Sequence, residues 1–369
     1  MENYKFINNN KCEFFPCHKT EDKDNFNCLF CYCPLYLMEE KCMGNFTYTK
    51  NGIKDCSNCL LPHKKENYDY INNKLMEFTN MKKEEKLKNI KLIITDLDHT
   101  LLKDEFSIDE NYVSLFNELK DMGYITAFAT ARGFYQAFNF AYKLKPDYII
   151  CDNGASLVKY DYENQKRHIL KEILIEEETK KDVLNTLKDN DTLIYLIESG
   201  EDLYITKSKY NPEIVNKNIN FFSPIENIVE GFKLHVIDKL RDMPFDIPLT
   251  RVCTFDFVGD KNTHDTLKRL GEAHDKLNYT KSFTTTFEFG PSTKGNALLF
   301  LKDYLKIAKE NIISFGDSIT DVSMFENSGV SVCVDNASDE VKKHAMYITD
   351  SVFDNGVENF IRENLLNEK

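Results

Sequence analysis

From Leu92 to Thr95 every position is apolar or β-branched, and the chain then turns polar at Asp96, Asp98 and Thr100. A short apolar run that stops at polar side chains reads as a buried strand whose carboxyl end opens into a crevice. The pattern recurs. Residues 124–129 are apolar apart from Thr126 and end at Thr130, residues 147–151 end at Asp152, and residues 311–315 end at Gly316 and Asp317. A further apolar run, Val330–Val334, follows. Between the first two runs, Tyr112, Val113, Leu115, Phe116 and Leu119 fall at helical spacing over residues 109–122, and Gly123 stops that helix. A second helix is predicted near 134–144. Strands alternating with helices form a parallel sheet with right-handed crossovers, which gathers polar residues at the strands' carboxyl ends.

From 155 to about 284 the texture changes. Strand-like pieces at 193–197, 202–205, 232–236 and 252–258 alternate with Lys/Glu-rich helical pieces at 176–188 and 263–273. No catalytic motif stands out there, so an inserted α+β domain is expected, with His235, His264 and His274 read as packing or surface residues. The alternating pattern resumes at about 285 with Lys294 at the start of a helix. Toward the other end, residues 71–89 are polar with sparse apolar positions, as in a connecting helix and linker. The predicted organisation is therefore α/β: residues 1–70 cysteine-rich, 71–89 a linker helix, 90–155 and 285–369 the two parts of a Rossmann-like three-layer core, and 156–284 the insertion.

The length of 369 residues suits two or three domains. A net charge of −13 argues against nucleic acid or an anionic membrane as the main partner. The first ten residues carry no apolar core of signal-peptide length, and no run approaches a membrane span. A cytoplasmic protein is expected.

Eight of the 11 cysteines lie between Cys12 and Cys59, whereas Cys151, Cys253 and Cys333 are scattered through apolar segments as small core residues. Without a secretory signal, the dense cluster reads as metal ligation before disulfides. Cys28/Cys31 and Cys56/Cys59 are C-x-x-C pairs, whose tight turns let two thiolates grip one tetrahedral metal. Cys12, Cys17, Cys33, Cys42, His18 and His63 leave enough ligands for a second site. Structural Zn²⁺ is the favoured reading, with a redox dithiol or an iron–sulfur cluster as alternatives. So short a segment has little core, and a metal would supply much of its folding free energy.

In extended backbone, Asp96 and Asp98 share a face and address one point. Two such carboxylates repel unless a cation sits with them, which suggests Mg²⁺. Lys294 falls where a helix N-terminus already favours an anion. Asp317 and Asp321 add carboxylates at another strand's end. Four signals thus follow in order: D-x-D-x-T after a strand, a hydroxyl after the next, a lysine, and G-D-x-x-x-D after a strand.

Together they resemble the four motifs of the haloacid dehalogenase superfamily, and details such as Thr130-Ala131-Arg132, Asp152-Asn153-Gly154 and Ser292-Thr293-Lys294-Gly295 are similar to its Cof-type subgroup with a C2 cap. The resemblance covers about 90 to 369 and is positional within the insertion. It implies a Mg²⁺-dependent phosphatase for a small phosphorylated metabolite. Asp96 would be the nucleophile and would form an aspartyl-phosphate. Asp98 would be the general acid and base. Mg²⁺ would be held by Asp96, the Asp98 carbonyl, Asp317 and Asp321, and Thr130 and Lys294 would hold the phosphoryl oxygens. Arg132, Asn153 and Gly154 become candidates for substrate contact or the cap hinge. His99 stands where this family has Gly, and Thr320 where many Cof-type members have Asn. A phosphomutase and a zinc-dependent binding or scaffold protein with an inactive phosphatase fold remain as alternatives.

The first seventy residues resemble the small cysteine-rich, zinc-finger-like domain, through Phe15–His18, Asn27–Tyr36, Lys54–Cys59 and Pro62-His63. That domain sometimes accompanies cobalamin-biosynthesis proteins, so a phosphorylated cobalamin precursor joins sugar, nucleotide and cofactor phosphates as a candidate substrate. It also adds a protein partner recruited through the cysteine-rich segment.

Overall fold

A computed structural model describes residues 3–282 and 286–366, and the chain divides into two compact units, Met1–Lys86 and Leu87–Lys369. The first unit has almost no regular structure. Its two-stranded antiparallel hairpin pairs β1 (Thr47–Tyr48) with β2 (Lys54–Asp55), and helix α1 (Tyr68–Leu87) closes it. Its buried apolar cluster is small: Leu35, Met38, Cys42 and Ile71, the last from α1. The helix expected only to connect the two halves therefore packs as part of the first unit.

In the second unit, strands β3 (Leu92–Thr95), β4 (Ile125–Ala129) and β5 (Tyr148–Cys151) alternate with helices α2 (Glu110–Asp121) and α3 (Phe134–Leu144). The chain then adds a hairpin, β6 (Ser156–Asp161) and β7 (Lys166–Glu172). Next come α4 (Glu177–Leu187), β8 (Leu193–Ser199), β9 (Asp202–Thr206), α5 (Pro212–Phe222), β10 (Lys233–Ile237), β11 (Val252–Asp256), α6 (Lys261–Ala273), β12 (Asn278–Ser282) and β13 (Thr286–Gly290). The chain returns through α7 (Lys294–Leu305), β14 (Ile312–Gly316), α8 (Val322–Phe325), β15 (Val330–Val334), α9 (Asp339–Lys342), β16 (Tyr347–Thr349) and α10 (Gly356–Ile361).

The core sheet has the order β16-β15-β14-β3-β4-β5-β6-β7, parallel from β16 to β5 and antiparallel at the β6–β7 hairpin. Strand β3 is buried on both faces, as a central parallel strand must be. Leu92 and Ile94 pack with α7 through Ala297, Leu298 and Leu301, while Ile93 joins Tyr112, Leu115, Phe116 and Leu119 of α2. Successive side chains thus go to opposite helical layers. The chain runs outward from β3 through β4 and β5, then crosses to β14 on the other side. That makes the end of β3 a topological switch point, where a crevice opens.

The second sheet, β10-β9-β8-β11-β13-β12, forms the cap. Leu193, Tyr195 and Ile197 of β8 face α4 and α6, whereas Ile194 and Leu196 face the large core that includes α3 and α5. The two sheets exchange at different places from the expected 156 and 284. The β6–β7 hairpin bonds into the core sheet, because β5 offers it an open edge, and β13 bonds into the cap sheet between β11 and β12. Among the described residues, no helix is long and apolar enough to cross a membrane.

Candidate active site

The loop after β3 turns tightly: the amides of Thr100, Leu101 and Leu102 all point to the Leu97 carbonyl, and His99 bonds the Leu102 carbonyl. This fold-back needs a left-handed residue, and His99 supplies it at φ +55°. The amide of Asp96 donates to the Phe315 carbonyl of β14, 3.0 Å away, which brings the two acidic strand ends together.

Carboxylate oxygens of Asp96, Asp317 and Asp321 lie within 4.8 Å of one another. Lys294 is buried among them, its Nζ 2.7 Å from Asp96 Oδ1 and 2.7 Å from Asp321 Oδ1. Thr293 caps α7, accepting from the Asn296 amide, which fixes Lys294 as the first helical residue. Asp321 Oδ2 accepts the amides of Asp317 and Ser318, and the Thr100 hydroxyl donates to Asp317 Oδ1 at 3.0 Å. One lysine faces three carboxylates, so the cluster is electrostatically unfinished. Burial pushes the Asp96 carboxyl well up, against the pull of Lys294, with Asp321 and Asp317 adding to the rise. Burial, with Asp321, pushes Asp317 up to about 7. Three hard oxygen donors around a charge deficit fit a divalent cation such as Mg²⁺.

Asp98 departs from the simplest sequence expectation. Its carboxylate does not join Asp96 in that cluster but forks onto Arg132, with Nε 2.8 Å from Oδ2 and Nη2 2.6 Å from Oδ1. Burial would raise the Asp98 carboxyl, but Arg132 holds it below the ordinary carboxylate range. A residue beyond the strand end, in the turning loop, no longer follows the two-residue alternation of extended backbone.

Thr130 is fully buried at the end of β4, next to β3, and its hydroxyl accepts the Arg132 amide. Ala131 and Arg132, rather than Thr130, line the cavity. Thr320 also lines it, with its hydroxyl 2.7 Å from Ser318 Oγ.

Asp152, Asn153 and Gly154 hold three consecutive positive φ angles, +52°, +51° and +96°. Asp, Asn and Gly are the types that tolerate this backbone. Gly154 is required for a second reason: a Cβ there would sit 2.0 Å from the Thr293 carbonyl oxygen, beside Lys294.

The cavity over these residues measures about 410 Å³ and is shared with the cap. Its cap wall carries Phe221 and Phe222 from α5 and Phe255 of β11, with Arg251 and Glu288 beside them. Buried Arg251 pairs with Asp152 at 3.2 Å and Glu288 at 2.6 Å, and it also contacts Gln136 and the Ala131 carbonyl. From β8, Glu198 accepts the Tyr135 and Gln136 amides at the start of α3, and burial with Asp152 pushes it up to about 7. Arg251, Glu288 and Glu198 escaped the sequence reading because their partners lie 37 to 120 residues away. The cap histidines are ion-paired: His235 with Asp202, His264 with Asp256 and His274 with Asp182.

In the first unit, Cys17 Sγ lies 3.2 Å from His18 Nδ1 and 3.9 Å from His63 Nε2. All eleven cysteines are free thiols.

A parallel-sheet core with acidic strand ends, a buried lysine and a capped cavity defines a class of phosphoryl-handling hydrolases, and comparison with known proteins agrees. The family model of haloacid dehalogenase-like hydrolases matches residues 93–361, and that of the cysteine-rich small domain matches residues 3–86. The chain belongs to the haloacid dehalogenase-like hydrolase family and is a Cof-type phosphatase for small phosphorylated metabolites, carrying an N-terminal cysteine-rich small domain. It is 26% identical over 278 residues to the 5-amino-6-(5-phospho-D-ribitylamino)uracil phosphatase YcsE of Bacillus subtilis, covering 74% of this chain and 95% of that one. A haloacid dehalogenase-like hydrolase from Bacteroides thetaiotaomicron shares the fold with a TM-score of 0.60 at 22% identity, over 74% of this chain and 99% of that one. TM0651 from Thermotoga maritima gives 0.58 at 25% identity, over 74% and 97%.

Proposed function

We propose that the enzyme hydrolyses a phosphate monoester through an aspartyl-phosphate on Asp96, with Mg²⁺ bound by Asp96, Asp317, Asp321 and the Asp98 carbonyl. The cluster of three carboxylates around Lys294, at the topological switch point, carries this reading. An Asp96 oxygen attacks phosphorus in line with the ester oxygen, which leaves with a proton from Asp98. Asp98 then takes a proton from water, whose oxygen attacks phosphorus and releases Asp96 and inorganic phosphate. Lys294 and Thr130 steady the phosphoryl group, Lys294 through its ammonium at the start of α7. When bound, Mg²⁺ would offset the charge of a carboxylate approaching a phosphate dianion.

The cap wall narrows the substrate. Phenylalanines from α5 and β11 favour a flat, ring-bearing portion, while Arg251 and Glu288 offer a donor and an acceptor to its polar edge. The substrate in the name of the Bacillus subtilis relative, a ribitylaminouracil phosphate, fits that description. Cofactor and nucleotide phosphates are therefore favoured over bare sugar phosphates. The N-terminal unit is a structural zinc module in this reading, consistent with its small apolar cluster.

Phosphate release from a panel of sugar, nucleotide, flavin, ribitylaminouracil and cobalamin-precursor phosphates, with Mg²⁺, tests the proposal, with Asp96→Asn as control. Turnover that needs Mg²⁺, falls at least 10³-fold in Asp96→Asn and prefers ring-bearing esters is expected. Turnover that survives Asp96→Asn would overturn the mechanism.

A further inference from the structure

The N-terminal unit gathers its thiols and imidazoles into two separate places. In the first, His63 Nδ1 lies 2.9 Å from the Asn27 carbonyl and His18 Nε2 lies 3.2 Å from the Cys56 carbonyl. A carbonyl only accepts, so each of those nitrogens carries the proton, and the other nitrogen of each ring presents a lone pair. Both lone pairs, His18 Nδ1 and His63 Nε2, face the single Cys17 sulfur, and the three ligand atoms lie within 4.8 Å of one another. One S–H cannot satisfy two acceptors, whereas a metal ion satisfies all three atoms. Outer nitrogens bonded to backbone carbonyls are also what orients imidazoles toward a metal. His63 is held further by Phe26, stacked at 4.3 Å. The thiols whose charges act on Cys17 are Cys31, Cys28 and Cys12.

In the second place, Cys33 is under the influence of Cys59 and Cys42, and Cys56 under that of Cys59, Cys33 and Cys42. Gly44 sits between two of these sulfurs: a Cβ there would be 2.9 Å from Cys59 Sγ and 3.5 Å from Cys42 Sγ. Its amide points at Cys42 Sγ, 3.4 Å away, and the buried ammonium of Lys54 donates to the same sulfur at 3.2 Å. Lys54 is fixed by the Tyr36 and Glu39 carbonyls, so a positive charge is anchored against this thiol group. An N–H and an ammonium on one sulfur favour its thiolate form, the form that ligates metal.

We infer that the unit binds two zinc ions in chemically different centres: a mixed centre of Cys17, His18 and His63 completed by a thiol of the Cys28/Cys31 pair, and an all-thiolate centre of Cys33, Cys42, Cys56 and Cys59. The two C-x-x-C pairs therefore serve different ions, and the neighbours Cys31 and Cys33 part company. This deepens the zinc reading proposed above and is independent of the phosphatase chemistry, because its test counts and types ligands without assaying turnover.

The test is zinc stoichiometry of the full chain by native mass spectrometry, followed by Co²⁺ substitution. Two zinc ions per chain are expected. Cys59→Ser should lose one of them and leave a Co²⁺ spectrum with mixed sulfur and nitrogen ligation. His63→Gln should lose the other and leave an all-thiolate spectrum. A single ion, loss of the same ion in both variants, or bound iron with inorganic sulfide would overturn the inference. Should either variant fail to fold, X-ray absorption of the zinc-loaded natural protein decides: a sulfur shell with a nitrogen component upholds it, and a shell of sulfur alone overturns it.

Discussion

Arg132 holds Asp98 by a two-point fork, 2.8 Å and 2.6 Å, and its Nη2 also reaches the Glu105 carbonyl at 3.0 Å. The carboxylate that is to donate a proton to the leaving group is thereby kept ionised. Arg132 must release it before it can act, and an incoming phosphate dianion is the competing partner for the guanidinium.

Arg132→Ala should therefore change both protonation and binding. Without the guanidinium the Asp98 carboxyl rises, so the basic limb of the kcat/KM profile, which reports loss of the essential acid, moves to higher pH. KM should rise, as a phosphate contact is lost. For stability the sign is the ordinary one for a depressed carboxyl. The pair's contribution is present above pH about 4, and it is lost as pH falls through the folded value. A profile whose basic limb stays in place would mean that Asp98 is not the acid.

Asp317 faces the opposite situation, with a carboxyl pushed up to about 7 by burial and by Asp321. Its folded value exceeds its unfolded one, so metal-free stability falls as pH rises from about 4 to about 7, with a slope of up to about 1.4 kcal/mol per unit. Asp317→Asn should flatten that slope and raise the midpoint of urea unfolding at pH 8 in the presence of EDTA. The same variant should lose the rise in thermal midpoint that Mg²⁺ gives the natural protein. A substitution that stabilises the empty site while abolishing the response to the ion separates a ligand from a structural residue.

His99 pays for its left-handed backbone, φ +55°, with the steric cost of a Cβ there. His99→Gly should raise stability by up to about 1 kcal/mol, as the relief of strain exceeds the entropy that glycine adds to the unfolded chain. Because the imidazole lines the cavity, KM for a ring-bearing ester should change with it. A loss of stability in urea would show that the imidazole's own contacts outweigh the strain.

How far the molecule was legible in its sequence follows from the range of each signal. Helix α3 was visible over its full length, 134–144, and β3 to within a residue, because their patterns are local. The motif residues Asp96, Lys294, Asp317 and Asp321 were legible as types at strand ends, and the sheet order brings them together. Helix α5 was not, since its apolar residues serve a cavity wall and the large core at once. The β6–β7 hairpin looked like the start of the insertion because alternation shows a strand but not the sheet it joins. The fork from Arg132 to Asp98 spans 34 positions, and that from Arg251 to Glu288 spans 37, distances at which no sequence periodicity operates.

Arg251 gives the most discriminating substitution. It stands at the entry to β11 and ties Asp152 at the end of β5 to Glu288 on β13, while also touching Gln136 on α3. All three charged groups are buried, so their attraction is opposed by the loss of hydration on each. Arg251→Met keeps much of the volume but strands two carboxylates, and it should cost about 3–5 kcal/mol in urea unfolding. Adding Glu288→Gln removes one stranded charge and should recover part of that loss, although each change alone destabilises. Arg251→Lys keeps the charge without the fork, so it should fall between the natural protein and Arg251→Met. In every variant that folds, KM should rise more than kcat falls, because the tie positions the cap wall and not the Asp96 carboxylate. If kcat collapsed in Arg251→Lys with KM unchanged, the guanidinium would have to act on the reacting group itself, and the cap tie would be the lesser part of its work.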